Sequence, residues 1–248
     1  MLAIIGGTGL TRLQNLQITH RQVIRTPYGE PSGALTFGEI GGHHVVFIAR
    51  HGYGHTIPPH EINYRANIWA LAEQKATRIV SVCTVGGIRE DLAPGTVVLP
   101  DQIIDYTNGR KHTFFEGGDK PVTHIDFTEP YCAKQRGRIL KAAKASHQKL
   151  LDGGVYAATQ GPRLETAAEI NRIAGDGGDM VGMTGMPEAA LAREAGLSYA
   201  SIAVVSNWAA GRADSRHKVD LAAAEGVFKE AIERVHRILE ALVKVDGD

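Results

Sequence analysis

Arg50 is followed by three histidines, His51, His55 and His60, in the stretch "RHGYGHTIPPH". Side chains of these types hold either a metal or an anion. A helical metal motif places its histidines at i and i+4 on one face. His51 and His55 have that spacing, but Gly52, Gly54 and the Pro58–Pro59 pair forbid a regular helix there. Arg50 beside two imidazoles, with glycine letting the backbone come close, suits an anion better. His60 reads as an ordinary surface residue at the start of a helix. Three hydroxyls from distant segments could add to such a site: Thr8 in "GGTG" (6–9), Thr84 at the end of "SVCT", and Thr184 in "GMTG" (182–185). The first tetrapeptide is not a dinucleotide fingerprint, because Arg12 stands where the last glycine of G-x-G-x-x-G is needed. It is not a Walker loop either, since no Gly-Lys-Ser/Thr follows. It offers a backbone nest and one hydroxyl, enough for a single phosphate. Taken alone it is equally a tight strand–helix turn.

These groups converge only if the elements that carry them do. Apolar, β-branched runs at 2–6, 44–49, 78–84, 96–105, 154–159 and 197–206 read as buried strands closed by Gly or polar turns. Helical periods occupy 59–74, 133–148, 165–175, 186–196 and 219–245. In the last of these, Val227, Ile232, Val235, Ile238, Leu239 and Leu242 form one apolar stripe. Strands alternating with helices predict an α/β fold: one domain over 1–248, with a largely parallel central sheet flanked by helices. Ligands of such sheets collect beyond the C-terminal strand ends, where Thr8, Arg50, Thr84 and Thr184 fall. The polar stretch 106–124 breaks the alternation and is expected to be functional or mobile.

The totals exclude several classes. Lysine plus arginine equals aspartate plus glutamate, 27 against 27, so no basic face advertises a nucleic-acid partner. No apolar window is long enough to span a membrane, and the N-terminal run is too short for a signal peptide. Cys83 and Cys132 cannot form a disulfide framework and read as reduced thiols of a cytoplasmic protein.

Seven segments, "IIGGTGL", "ARHGYGHTIPPHEINYRANIWAL", "GGIREDLAPGTVVLPDQIID", "THIDFTEPYC", "TQGPRLET", "DMVGMTGMPEAALAREAG" and "YASIAVVSNWAAG", together resemble the trimeric purine nucleoside phosphorylase and 5′-methylthioadenosine phosphorylase family. The resemblance runs in order over nearly the whole chain. It implies a homotrimeric α/β protein with a mixed central sheet that cleaves a purine nucleoside with inorganic phosphate as co-substrate, without a metal or organic cofactor. Carried over residue by residue, it makes Thr8, Arg50, His51, Thr84 and Thr184 phosphate contacts. Met183 would hydrogen-bond the pentose through its backbone, Val85, Gly86 and Gly87 would line sugar and base, and Leu164 and Glu165 would sit at the purine. His55 and His124 would reach the site of a neighbouring subunit, His124 closing the 5′ end of the sugar. Family members usually carry an aromatic where Leu164 stands, which implies weaker stacking here.

Base choice rests on Asn207. The adenine-specific branch of the family carries Asp at this position and a second Asp two residues later, where this chain has Ala209. An Asn amide can donate to O6 of a 6-oxopurine and accept from the N7–H formed on cleavage. A 6-aminopurine needs the reverse. At the 5′ end two registers stay open: His217 would favour a 5′-hydroxyl, Val219 a 5′-methylthio group. The methylthio-like "RHGYGHTIP" and "NIWAL" point to S-methyl-5′-thioinosine as substrate, with inosine or guanosine and 5′-methylthioadenosine as alternatives.

Overall fold

The computed structural model describes residues 1–10, 13–118, 121–222 and 225–245. In chain order, β1 (Leu2–Gly6), β2 (Gln17–Gln22), β3 (Leu35–Ile40) and β4 (His43–Ala49) precede α1 (Tyr64–Glu73). Next come β5 (Arg78–Gly87), β6 (Val97–Leu99), β7 (Gln102–Asp105) and α2 (Ala133–Ala145). β8 (Leu151–Asp152) and β9 (Val155–Ala158) lead into α3 (Ala167–Gly175), and β10 (Met180–Gly182) into α4 (Gly185–Glu194). β11 (Ser198–Trp208) and α5 (Glu225–Val245) finish the chain.

Strand side chains point alternately to the two faces of a sheet, and here both faces are covered. Ala3, Ile5, Val46 and Ile48 pack in one core with Ile68 and Leu71 of α1 and Ala189 and Leu191 of α4. Leu2, Ile4, Val45 and Phe47 pack in the other with Ile139 of α2 and Val235, Ile238 and Leu242 of α5. Burial on both faces is why these strands read as continuous apolar runs rather than alternating ones.

The strand order is β2-β3-β4-β1-β5-β10-β9-β7, with β11 also on β5, β6 on β11 and β8 on β6. β1, β4, β5 and β11 run parallel, while β10 meets β5 antiparallel, so the sheet is mixed. β5 organises the site. β11 follows one of its edges from Arg78 to Gly87. On the other edge β1 pairs only as far as Ser81, and β10 begins only at Gly86. The interval Val82–Val85 therefore has an edge open to loops and side chains. An opening between strands that diverge from a shared neighbour is where α/β sheets bind ligands.

The anticipated elements shift where local chemistry intervenes. The 96–105 run is two strands parted at Pro100, which has no N–H for a ladder. β2 and β3 were not anticipated; β2 is exposed at all six positions and so carries no hydrophobic signal. α1 starts at Tyr64 rather than 59, because the Asn63 side chain caps it by accepting from the Ala66 N–H at 3.0 Å. α5 is described from Glu225; residues 223–224 of the expected helix lie outside the described residues, as do 119–120 of the 106–124 stretch. Val227 is not on the buried stripe: it is 47% exposed, whereas the other five named positions are buried.

Candidate active site

A cavity of about 550 Å³ opens at the unpaired edge of β5, a size within the range of small-molecule sites. Six strand exits contribute to it, and they bring together Thr8, Arg50, His51, His55, Thr84, Val85, Gly86, Leu164, Glu165, Met183, Thr184, Asn207, Ala209 and Val219.

Arg50 follows β4 and is fully buried. Its Nη1 donates to the Val82 carbonyl at 3.0 Å, filling part of the open edge of β5. Gly7 makes room for it, since a Cβ there would lie 2.7 Å from Nη1. Nε and Nη2 donate to the two carboxylate oxygens of Glu188, at 2.7 and 2.9 Å, and Nη2 also donates to the Ser81 hydroxyl at 2.5 Å. Glu188 accepts in addition from Ser81 and Tyr199, at 2.6 and 2.8 Å. This corrects the expectation of an open cationic pocket. Glu188 balances the guanidinium charge, and one N–H, on Nη1, is left over for a ligand. Burial opposes the arginine's charge, but the adjacent carboxylate outweighs it and holds the pKa well above the ordinary value.

His51 is also buried, and its ring centroid lies 4.7 Å from that of His55. His55 lines this chain's own cavity, where the resemblance assigned it to a neighbour's. The His51 Nδ1 lies 2.8 Å from the Ile57 carbonyl, which can only accept, so Nδ1 carries the proton. Burial and the charge of Arg50 push the His51 pKa down to about 4, so the ring is neutral at pH 7 and Nε2 is an acceptor.

The threonines sit around the same opening. The Thr84 hydroxyl donates to the Thr8 carbonyl at 3.2 Å, tying β5 to the turn after β1. Thr184 precedes α4; its N–H donates to the Tyr156 hydroxyl at 3.3 Å, and its own hydroxyl lies 3.6 Å from the Cys83 sulfur. Hydroxyls such as these are groups that can hold an anion without a net positive charge.

At the opposite end Asn207 is aimed by a β-bulge in β11, where the register with β5 slips between Val205 and Asn207. Its Nδ2 donates to the Trp208 carbonyl at 2.7 Å and its Oδ1 accepts from the Ser206 hydroxyl at 2.7 Å. A carbonyl cannot donate, so these partners fix which end of the amide is which. One N–H and one lone pair remain. Glu165 accepts from the Thr159 hydroxyl at 2.6 Å and faces the cavity beside Leu164, which is 41% exposed. Val219 lines the cavity with Leu221 and Phe228, whereas the exposed His217 does not.

One further expectation fails locally. Gly87 packs against backbone, its missing Cβ position only 1.9 Å from the Leu92 carbonyl oxygen, and it does not reach the cavity. His124, which the resemblance assigns to a neighbouring subunit's site, is exposed and does not line this chain's own cavity. The Met183 carbonyl is engaged by Arg110 at 2.8 Å. Sequence reasoning missed Glu188, Ser81, Ser206 and Phe228. Glu188 lies within a quoted motif, but nothing in its spacing ties it to an arginine 138 residues away. Among the described residues no group of three or more His, Cys, Asp or Glu could hold a metal ion, and no helix is long and apolar enough to cross a membrane.

Comparison with known proteins places this site in context. Residues 1–244 match the model of the Phosphorylase superfamily. A probable S-methyl-5′-thioinosine phosphorylase of Xanthomonas campestris is 54% identical over 215 residues, covering 87% of this chain and 86% of that protein. A 6-oxopurine nucleoside phosphorylase of Pyrococcus furiosus is 46% identical over 85% of this chain and 80% of its own length. The solved methylthioadenosine phosphorylase of Schistosoma mansoni with adenine superposes with a TM-score of 0.94 at 34% identity, covering 99% of this chain and 91% of that one. The chain that carries this cavity, at the open edge of β5, thus belongs to the phosphorylase superfamily.

Proposed function

We propose that this chain cleaves S-methyl-5′-thioinosine with inorganic phosphate, giving hypoxanthine and 5-methylthioribose 1-phosphate. Phosphate would sit among Thr8, Thr84, Thr184 and the remaining Arg50 N–H, with His51 accepting from its P–OH. From there its charge stabilises the oxocarbenium-like sugar as the glycosidic bond stretches. A phosphate oxygen then bonds to the anomeric carbon, and the electron pair of the broken C–N bond stays on the purine. The purine anion takes its N7 proton from water, and Asn207 accepts from that N7–H and donates to O6. No side-chain nucleophile is required.

The observation that carries this reading is the pinned amide of Asn207, facing the same cavity as three threonines and Arg50. A 6-aminopurine would need that amide reversed, leaving buried polar groups mismatched at about 1–3 kcal/mol each. That corresponds to tens to hundreds fold against 6-amino substrates. Val219 and Phe228 at the cavity support a thioether over a 5′-hydroxyl. The relatives named for methylthioinosine and for 6-oxopurine nucleosides support the same choice. The exposed His124, with Val122 beside it 73% exposed, fits a homotrimer in which this segment reaches a neighbouring site.

Base release from S-methyl-5′-thioinosine, 5′-methylthioadenosine, inosine and adenosine, with and without phosphate, tests the reading. The expected result is phosphate-dependent release, fastest from S-methyl-5′-thioinosine. Release without phosphate would make the chain a hydrolase, and a preference for inosine would overturn the 5′ assignment. Sedimentation equilibrium checks the trimer.

A further inference from the structure

The polar segment after β7, expected to be functional or mobile, holds Arg110, which is only 8% exposed. All of its N–H donors are used. Nη1 donates to the carbonyls of Met183 and Met186, at 2.8 and 2.6 Å, and to the Tyr64 hydroxyl at 3.2 Å. Nη2 donates to the carbonyls of Thr159 and Gln160, at 3.2 and 2.8 Å. Nε donates to the Gln160 side-chain oxygen at 3.2 Å. None of these partners is a carboxylate, in contrast to Arg50. Burying a cation without a counter-charge is costly unless its hydrogen bonds are complete, and here they are completed by backbone at specific places.

Those places are the walls of the cavity. Met183 precedes Thr184, and both line it. Thr159 and Gln160 begin the turn that delivers Pro162, Leu164 and Glu165, and the Thr159 hydroxyl holds Glu165 directly. Tyr64, under the guanidinium at 5.4 Å, donates to the carbonyl of Pro59, a third wall. We infer that Arg110 is a positioning residue: one planar guanidinium sets the phosphate side (Met183–Thr184), the base side (Thr159–Glu165) and the Pro59 wall at their working separations. A lysine keeps the charge, but its single ammonium cannot span partners that a planar fork reaches together.

This inference rests on the proposed reaction, and wild-type protein separates the two. No phosphate-dependent base release by wild type sinks the functional reading. Wild-type activity with Arg110 variants unaffected sinks only the role of Arg110. Arg110→Ala and Arg110→Lys are compared for kcat, for KM toward nucleoside and toward phosphate, and for the rise in Tm caused by phosphate alone. Loss of geometry predicts kcat/KM down by about 100-fold in Arg110→Ala, with both KM values raised and the phosphate-induced rise in Tm reduced. Arg110→Lys should recover only a minor part. Added guanidinium should restore activity to the folded Ala variant and not to the Lys variant. Full activity in either variant, or equal recovery with ammonium, would overturn the assignment. If Arg110→Ala does not fold, wild-type kinetics in Arg110→Lys still refutes it and impaired kinetics in that folded variant supports it.

Discussion

On the proposed function, base selectivity falls to Asn207, and the charge of Arg50 is set by Glu188; each is decided by what it hydrogen-bonds. Asn207 is held by an acceptor at its nitrogen and a donor at its oxygen. Asn207→Asp replaces the N–H toward O6 with an acceptor, and a protonated Asp can donate to N7 instead. Preference should move from 6-oxo toward 6-amino nucleosides, measured as the ratio of kcat/KM for S-methyl-5′-thioinosine and 5′-methylthioadenosine. An unchanged ratio would remove Asn207 from base recognition. Asn207 was legible from the sequence only through the family resemblance, since locally an asparagine closing a strand reads equally as a turn residue. Glu188 was not, and it decides how Arg50 behaves. Removing one partner of a buried ion pair leaves an uncompensated charge, costing about 3–5 kcal/mol. Glu188→Ala should therefore lower unfolding stability by that order in a urea titration. It should also raise KM for phosphate more than KM for nucleoside, since Arg50 loses the partner that orients it. Equal changes in both KM values would mean that Glu188 serves only the fold.

Elements place these residues through turn and cap chemistry. α3 begins with a reciprocal cap: the Thr166 side chain accepts from the Glu169 N–H, and the Glu169 carboxylate accepts from the Thr166 N–H. Glu165 is the residue before this cap, so the cap also fixes the base-side wall. Thr166→Ala should cost about 1 kcal/mol in a urea midpoint and raise KM for the nucleoside with kcat nearly unchanged. A stability loss without any change in KM would disconnect the cap from the site. The capping pattern T-x-x-E was present in "LETAAE", so this start could be read locally, and the helix appears two residues later than expected at 165. The split along β5 could not be read that way. Its run 78–84 is legible as a strand, but which neighbour occupies each edge depends on β1, β10 and β11 together.

Across the whole molecule, two buried histidines couple stability to pH. Burial pushes His51 down to about 4, and burial lowers His236 on α5 as well. In the unfolded chain both bind protons near the ordinary 6.5. Between about 6.5 and 4 the unfolded state therefore binds more protons than the fold, and acidification favours unfolding. Urea midpoints should be flat above neutrality and fall as pH drops from about 6.5 toward 4, with a shallower fall in His51→Asn. A midpoint independent of pH over this window would show that neither ring is held neutral. The sequence by itself determined the α/β class, the strand exits where chemistry gathers, and most of the residue types there. Periodicity, caps and turn residues act between near neighbours, so they are written locally. Only the tertiary structure decided that Arg50 is neutralised by Glu188, that Val219 and not His217 meets the cavity, and that Arg110 joins three of its walls. Those outcomes depend on which strand shares each edge of β5 and on how buried donors find acceptors over a hundred residues away, and no short window of sequence contains that pairing.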